Sequence, residues 1–314
     1  MITEVAGLAP APERSVVAIE PPGDEPGTWA GAPSAVRDGD KILLAYRLRR
    51  PIGRGRGYAV VVACSADGVE FETIQVIAKA DMDAESLERP TLVRTPAGKW
   101  RLYLSCATWG TKHWRVEMLE ADAPDRFDVQ QRTVVLPGDG ASGVKDPVIV
   151  TQSGVWHLWA SVHPLADVDN TDRMTTDYAT SADGIEWTWH GHALTPRAGE
   201  WDSRGVRVST VRFTPAGVIA FYDGRASAAE NYEERTGVAA GASPDALTAV
   251  GPEPVGAPPD GRRGLRYVSI VDLGDGRERW YYEVTRPDGR HELRTELRLP
   301  GDRMGTGELA GVVA

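Results

Sequence analysis

Short apolar runs separated by Gly, Pro and Asp recur from about residue 30 to residue 300, and hardly any long stretch keeps a helical period. That pattern predicts an all-β chain. Five segments align on one another without gaps: AGAPSAV (30–36), LERPTLV (87–93), VKDPVIV (144–150), GVRVSTV (205–211) and LRYVSIV (265–271). Their third positions are Ala32, Arg89, Asp146, Arg207 and Tyr267, spaced by 57, 57, 61 and 60 residues. Each segment is followed by a turn and a second apolar run, such as DGDKILLAYRL or QSGVWHLWASV. Further runs follow around the repeated turn SADG (65–68 and 181–184), whose Asp-Gly pair suits the positive φ of a tight hairpin.

A unit of about four strands every sixty residues marks propeller blades. The expected fold is a five-bladed β-propeller with four-stranded antiparallel blades around a central funnel. It forms a single domain over residues 1–314, with blades at about 29–80, 85–136, 143–196, 203–252 and 262–300. One of the flanking segments, SVVAIE (15–20) or ELAGVVA (308–314), is expected to add an outer strand that covers an open sheet edge.

In such a blade the start of the inner strand and the loop after the second strand lie on the same face. Charged residues and tryptophans concentrate at those positions, whereas the opposite turns read DGD, TPAG, QSG, TPAG and GDG. Inner-strand starts place Trp29, Glu88, Arg89, Lys145, Asp146, Asp202, Arg207 and Arg266 on the first face, and second-strand ends add Arg47, His163, Asp223, Arg225 and Glu283. Loop charges commonly pair with one another. Asp146, Glu88, Arg89 and Arg207 stand out because they flank the pseudo-symmetry axis, where a purely structural core uses apolar side chains.

These repeats, acids at the inner-strand starts and the SADGVEF and SADGIEW hairpins together resemble the five-bladed propeller glycosidases, glycoside hydrolase families 43, 32, 62, 117 and 130. The likeness spans residues 29–300. KDP (145–147) is similar to the RDP or DP element of those families, and the resemblance implies that Asp146 holds sugar hydroxyls and stabilises the transition state. ERP (88–90) resembles a related element with Glu88 shifted by one place. The first segment departs from the pattern, with Ala32 where several of the families carry an Asp. Glycoside hydrolysis ordinarily uses two carboxylates, so a partner for Asp146 is expected among Glu88, Asp223, Asp202 and Glu283. Asp146, Glu88 and Asp223 are the expected catalytic residues.

The remaining candidates are expected to bind substrate: Trp29 as a stacking platform, and Arg47, Arg89, Lys145, His163, Asp202, Arg207, Arg225, Arg266 and Glu283 as polar contacts. Several arginines at one mouth suit an anionic sugar, because a guanidinium fork matches a planar anion. The expected partner is a carbohydrate or another small polar ligand. The alternative is a propeller that has lost the first-blade acid and binds a glycan or small molecule without turnover. A lactonase or tailoring enzyme with an axial metal is a third, more distant possibility.

Composition narrows the partners further. A net charge of -10 and a pI near 5.2 argue against nucleic acid or an acidic membrane as partner. Only five of the thirty-five basic residues are lysine, so thirty are arginine. No 18-residue apolar run appears. The segment MITEVAGLAPAPERSVV lacks the apolar core of a secretory leader, and Cys64 and Cys106 read as reduced thiols, so the cytoplasm is the expected location. GDGASG (138–143) runs into a strand rather than a helix, which removes the dinucleotide reading. GRGRG (53–57) reads as a loop, and HGH (190–192) lacks a third ligand, so no metal site is expected, although an axial calcium ion is compatible with the sequence.

Overall fold

The computed structural model describes residues 9–51, 53–258 and 264–302. It is all-β, with twenty strands and only short 3-10 turns among these residues. Strand β1 is Val16–Ile19. The first antiparallel group is β2 (Trp29–Asp38), β3 (Lys41–Arg49), β4 (Gly57–Ser65) and β5 (Glu72–Ala78). The second is β6 (Leu87–Arg94), β7 (Trp100–Ala107), β8 (Trp114–Ala121) and β9 (Thr133–Leu136). The third is β10 (Ser142–Gln152), β11 (Val155–Pro164), β12 (Thr175–Ser181) and β13 (Thr188–Leu194). The fourth is β14 (Gly205–Thr214), β15 (Gly217–Arg225), β16 (Arg235–Ser243) and β17 (Ala246–Ala249). Strands β18 (Leu265–Asp272), β19 (Glu278–Thr285) and β20 (His291–Arg298) form the last group.

The last group is completed by the other end of the chain: β1 pairs antiparallel with β20, Val16 opposite Thr295. Of the two segments expected to cover that edge, SVVAIE does so, and ELAGVVA lies outside the described residues. Single parallel bridges, Trp29 with His291 and Arg235 with Leu265, tie neighbouring groups together.

Alternation along the strands explains the packing. In β3, Leu43 and Ala45 join a cluster with Leu92, Leu102 and Leu104 of the second group, while Ile42, Leu44 and Tyr46 face Val271 and Tyr281 of the last. Both faces of the sheet are buried, which is why runs such as KILLAY and AVVVAC are continuously apolar rather than alternating. Similar clusters join second to third, third to fourth and fourth to last groups. The SADG turns act as fasteners. Gly68 and Gly184 both have φ of 76°, and Tyr281 and Tyr103 of adjacent groups donate hydroxyl hydrogens to their carbonyls at 2.8 and 2.9 Å.

Every inner strand breaks register near its start, between Gly31 and Ser34, Leu87 and Pro90, Lys145 and Val148, Val208 and Thr210, and Arg266 and Ser269. Such bulges re-aim side chains. At three of the aligned positions the backbone enters the left-handed region: Ala32 (φ 54°), Asp146 (54°) and Tyr267 (57°). Non-glycine residues seldom adopt it, and it persists where surrounding contacts over-determine it.

Candidate functional site

The bulged starts of β6, β10, β14 and β18 and the ends of β3, β11, β15 and β19 bring their charged side chains together. Tyr267, almost fully buried, has guanidinium groups around its ring: Arg207 at 3.9 Å from the centroid, Arg266 at 5.2 Å, and Arg47 and Arg89 at 5.8 Å. Cations are attracted to the face of an aromatic ring, and the phenol's own proton is held, burial pushing its pKa up to about 12.

Carboxylates thread between these arginines. Glu88 pairs with Arg47 through one oxygen and with Arg49 through the other, the latter at 3.0 Å. Glu283 takes Arg47 at 3.2 Å, Arg266 at 2.6 Å, His291 at 2.7 Å and the Ala32 N–H at 3.0 Å. Glu234 lies between Arg225 and Arg266. Burial opposes the charge of Glu283 and Glu234, yet Arg266 and its neighbours outweigh it and hold both well below the usual carboxylate range. Asp223 differs: it accepts from Arg207 at 2.9 Å and from the Tyr267 N–H at 3.0 Å, but burial dominates and raises its pKa.

Above this layer lies a cavity of about 140 Å³. Its charged lining comprises Arg47, Arg49, Arg56, Lys112, Lys145, Arg207, Arg225 and Arg266 against Glu88, Asp172 and Glu234. In a chain with net charge -10, this pocket is cationic. Lys145 sits 3.6 Å from Asp146 and 4.8 Å from the Trp114 ring centre, and burial lowers its pKa to about 8. His163 donates through Nδ1 to the Thr171 carbonyl at 2.7 Å, and burial drives its pKa down to about 3, so the ring is neutral. Asp146 is fully buried. Its Oδ2 faces Lys145 and Arg207 while its Oδ1 has no partner; burial raises its pKa, but Lys145 and Arg207 outweigh burial and lower it.

Of the residues expected from sequence, Arg47, Glu88, Lys145, His163, Arg207, Arg225 and Arg266 line the cavity. Asp146, Asp223, Glu283, Arg89 and Trp29 are buried and do not line it. Within that set Arg89 donates to the Val208 carbonyl at 3.3 Å, and Trp29 stacks on Arg49 at 4.2 Å. Asp202 stands apart, holding Arg197 at 2.9 Å and the Tyr222 hydroxyl at 2.8 Å. Sequence reasoning does not single out Tyr232 or Tyr267 as site residues. Tyr267 was signalled by its alignment with Asp146, whereas Tyr232 lies in the β15–β16 loop, where its only sequence signal is its match, 60 residues on, to Asp172 in the β11–β12 loop. Among the described residues no three His, Cys, Asp or Glu side chains gather as metal ligands, and no helix is long and apolar enough to cross a membrane.

No family model matches the chain, and no curated protein does. Solved structures do. A β-1,2-mannobiose phosphorylase from Listeria innocua superposes with a TM-score of 0.65 at 13% identity, covering 93% of this chain and 96% of its own. A glycosyl hydrolase from Bacteroides ovatus gives 0.63 at 16% identity, covering 93% and 90%. The fold is that of the propeller-like glycoside hydrolases. A third member of this fold, from the GH130 family of mannoside phosphorylases and hydrolases acting on β-1,2 mannosidic linkages, gives 0.63 at 17% identity over 94% and 91%. At such identities the glycoside hydrolase fold is shared, and the charged lining described above belongs to this chain.

Proposed function

We propose that the strand groups are the five blades of one propeller domain, that the cationic cavity is its central funnel, and that the protein is a carbohydrate-active enzyme cleaving a glycosidic bond of an anionic sugar. The observation that carries this reading is the state of the three expected catalytic carboxylates. Glu88 has both oxygens on arginines, Asp223 has both on Arg207 and a backbone N–H, and only Asp146 keeps an oxygen free. Asp146 lies behind the cavity wall and therefore acts through Lys145 and Arg207, which line the cavity, while Glu88 and Asp223 position the arginines that hold the substrate. Lys145, beside Asp146 and with its pKa lowered to about 8, is the group suited to protonate the leaving oxygen as the anomeric C–O bond breaks, and the neutral amine so formed takes the proton that water loses as it adds to the sugar.

Two observations favour the second reading, binding without turnover. Ala32 occupies the first-blade position, and every carboxylate lining the cavity is already paired with arginine. A panel of aryl glycosides and oligosaccharides separates the two. Hydrolysis that Asp146→Asn reduces by at least about a hundredfold, with the fold intact, supports the enzyme. Calorimetric binding with no product formed supports the binding protein.

A further inference from the structure

Four side chains lining the cavity are more than nine-tenths buried and still have polar atoms without partners: Arg47 (1% exposed) at Nε, Arg49 (1%) at Nε and Nη2, Arg225 (2%) at Nε, and His163 (7%) at Nε2. Buried polar groups are normally satisfied, and their repeated failure around one cavity marks the place of a ligand that completes them. From their chemistry we infer that the cavity takes a single terminal uronate residue of a glycan, its planar carboxylate read by Arg49 and Lys145 and one ring hydroxyl read by His163. This inference rests on the carbohydrate reading above and specifies its substrate.

Arg49 supplies the first requirement. Its Nη1 is spent on Glu88 and the Tyr232 hydroxyl also accepts from this guanidinium, while Nε and Nη2, which share the other edge, have no well-aligned partner and can offer a bidentate fork. The plane of that fork is fixed by stacking on Trp29 at 4.2 Å and Tyr232 at 4.6 Å. A planar carboxylate matches such an edge, and Lys145 adds a cation in the same cavity.

His163 supplies the second. Because Nδ1–H is committed to the Thr171 carbonyl, Nε2 carries the lone pair and accepts. A ligand that satisfies it must donate. Sulfate has no hydrogen to give, and a neutral sugar has no anion for Arg49; an anionic sugar has both, and among these a uronate presents the planar anion that matches the flat fork. The cavity, about 140 Å³, is well below the roughly 300–1,000 Å³ of sites for larger ligands, which suits one sugar ring at a chain end.

Calorimetry on the full chain with methyl glucuronosides, galacturonosides and mannuronosides of both anomers, methyl glucoside, inorganic phosphate and sulfate tests this. At least one uronoside is expected to bind at least about a hundredfold more tightly than methyl glucoside. Arg49→Lys should weaken it about tenfold, and His163→Leu should weaken it while leaving any residual sulfate binding unchanged. Thermal melts verify that each variant folds, and should Arg49→Lys not fold, His163→Leu alone decides. Equal binding of methyl glucoside, or no loss in His163→Leu, overturns the uronate assignment and leaves the carbohydrate reading standing. Binding of phosphate or sulfate with no glycoside bound overturns the carbohydrate reading as well, as does the absence of any binding.

Discussion

Asp146 and Arg207, 61 residues apart in the chain, meet at 3.4 Å between β10 and β14. The same guanidinium holds Asp223 at 2.9 Å and lies over Tyr267 at 3.9 Å. One fully desolvated cation thus compensates two buried carboxylates.

Removing it should be severe. Arg207→Met leaves Asp146 and Asp223 buried with diminished compensation, and breaking a buried ion pair from one side costs about 3–5 kcal/mol. Urea denaturation measures this. A loss below about 1 kcal/mol would mean that the pairing does not hold the groups together as described.

Gly31 lies against Glu283. A Cβ at this position would fall on the Glu283 carboxylate, which is itself held by Arg47, Arg266, His291 and the Ala32 N–H. Gly31→Ala is expected to destabilise by about 1–3 kcal/mol, the usual range for overpacking. An unchanged denaturation midpoint would show that Glu283 moves aside freely.

Anion affinity should depend on Lys145. Its pKa is about 8 in the folded protein, so below that pH the ammonium is charged and affinity is level. Above it, binding must take up a proton, and affinity should fall by up to about tenfold per pH unit. Titrating methyl glucuronoside between pH 6 and 10 tests this. Lys145→Arg, which keeps its charge, should flatten the decline; a decline that persists in that variant assigns it to another group.

Acid stability should fall early. His163 has a folded pKa of about 3 against an ordinary 6.5, so the unfolded chain binds the extra proton between these values and stability drops as pH falls below 6.5. His291, also lowered by burial, acts in the same direction. The depressed Glu283 and Glu234 add a further loss below their ordinary 4.5. His163→Leu should reduce the slope between pH 6.5 and 4 by up to about 1.4 kcal/mol per unit. An unaltered slope in urea melts across that range would mean that His163 is protonated in the native protein.

The strand pattern, the repeat and the shared face were legible in the chain. Alternation with two buried faces leaves a continuous apolar signature, and a bulge repeated at aligned positions leaves KDP and ERP at recognisable spacings. That Asp146, Arg207 and Tyr267 would meet follows from that repeat alone, because equivalent positions on equivalent strands converge.

Pairing was not legible. Asp223 and Asp202 both read as free acids near a strand end, yet one is bound by Arg207 and the Tyr267 N–H while the other braces Arg197 and Tyr222 away from the cavity. Nor does the sequence say that Glu88 is held by two arginines or that Asp146 keeps one oxygen free. Which residues are charged, and on which strand, is a local property that the amino-acid order determines by itself. Which of those charges cancel depends on ångström-scale distances between strands remote in the chain, and only the tertiary structure decides them.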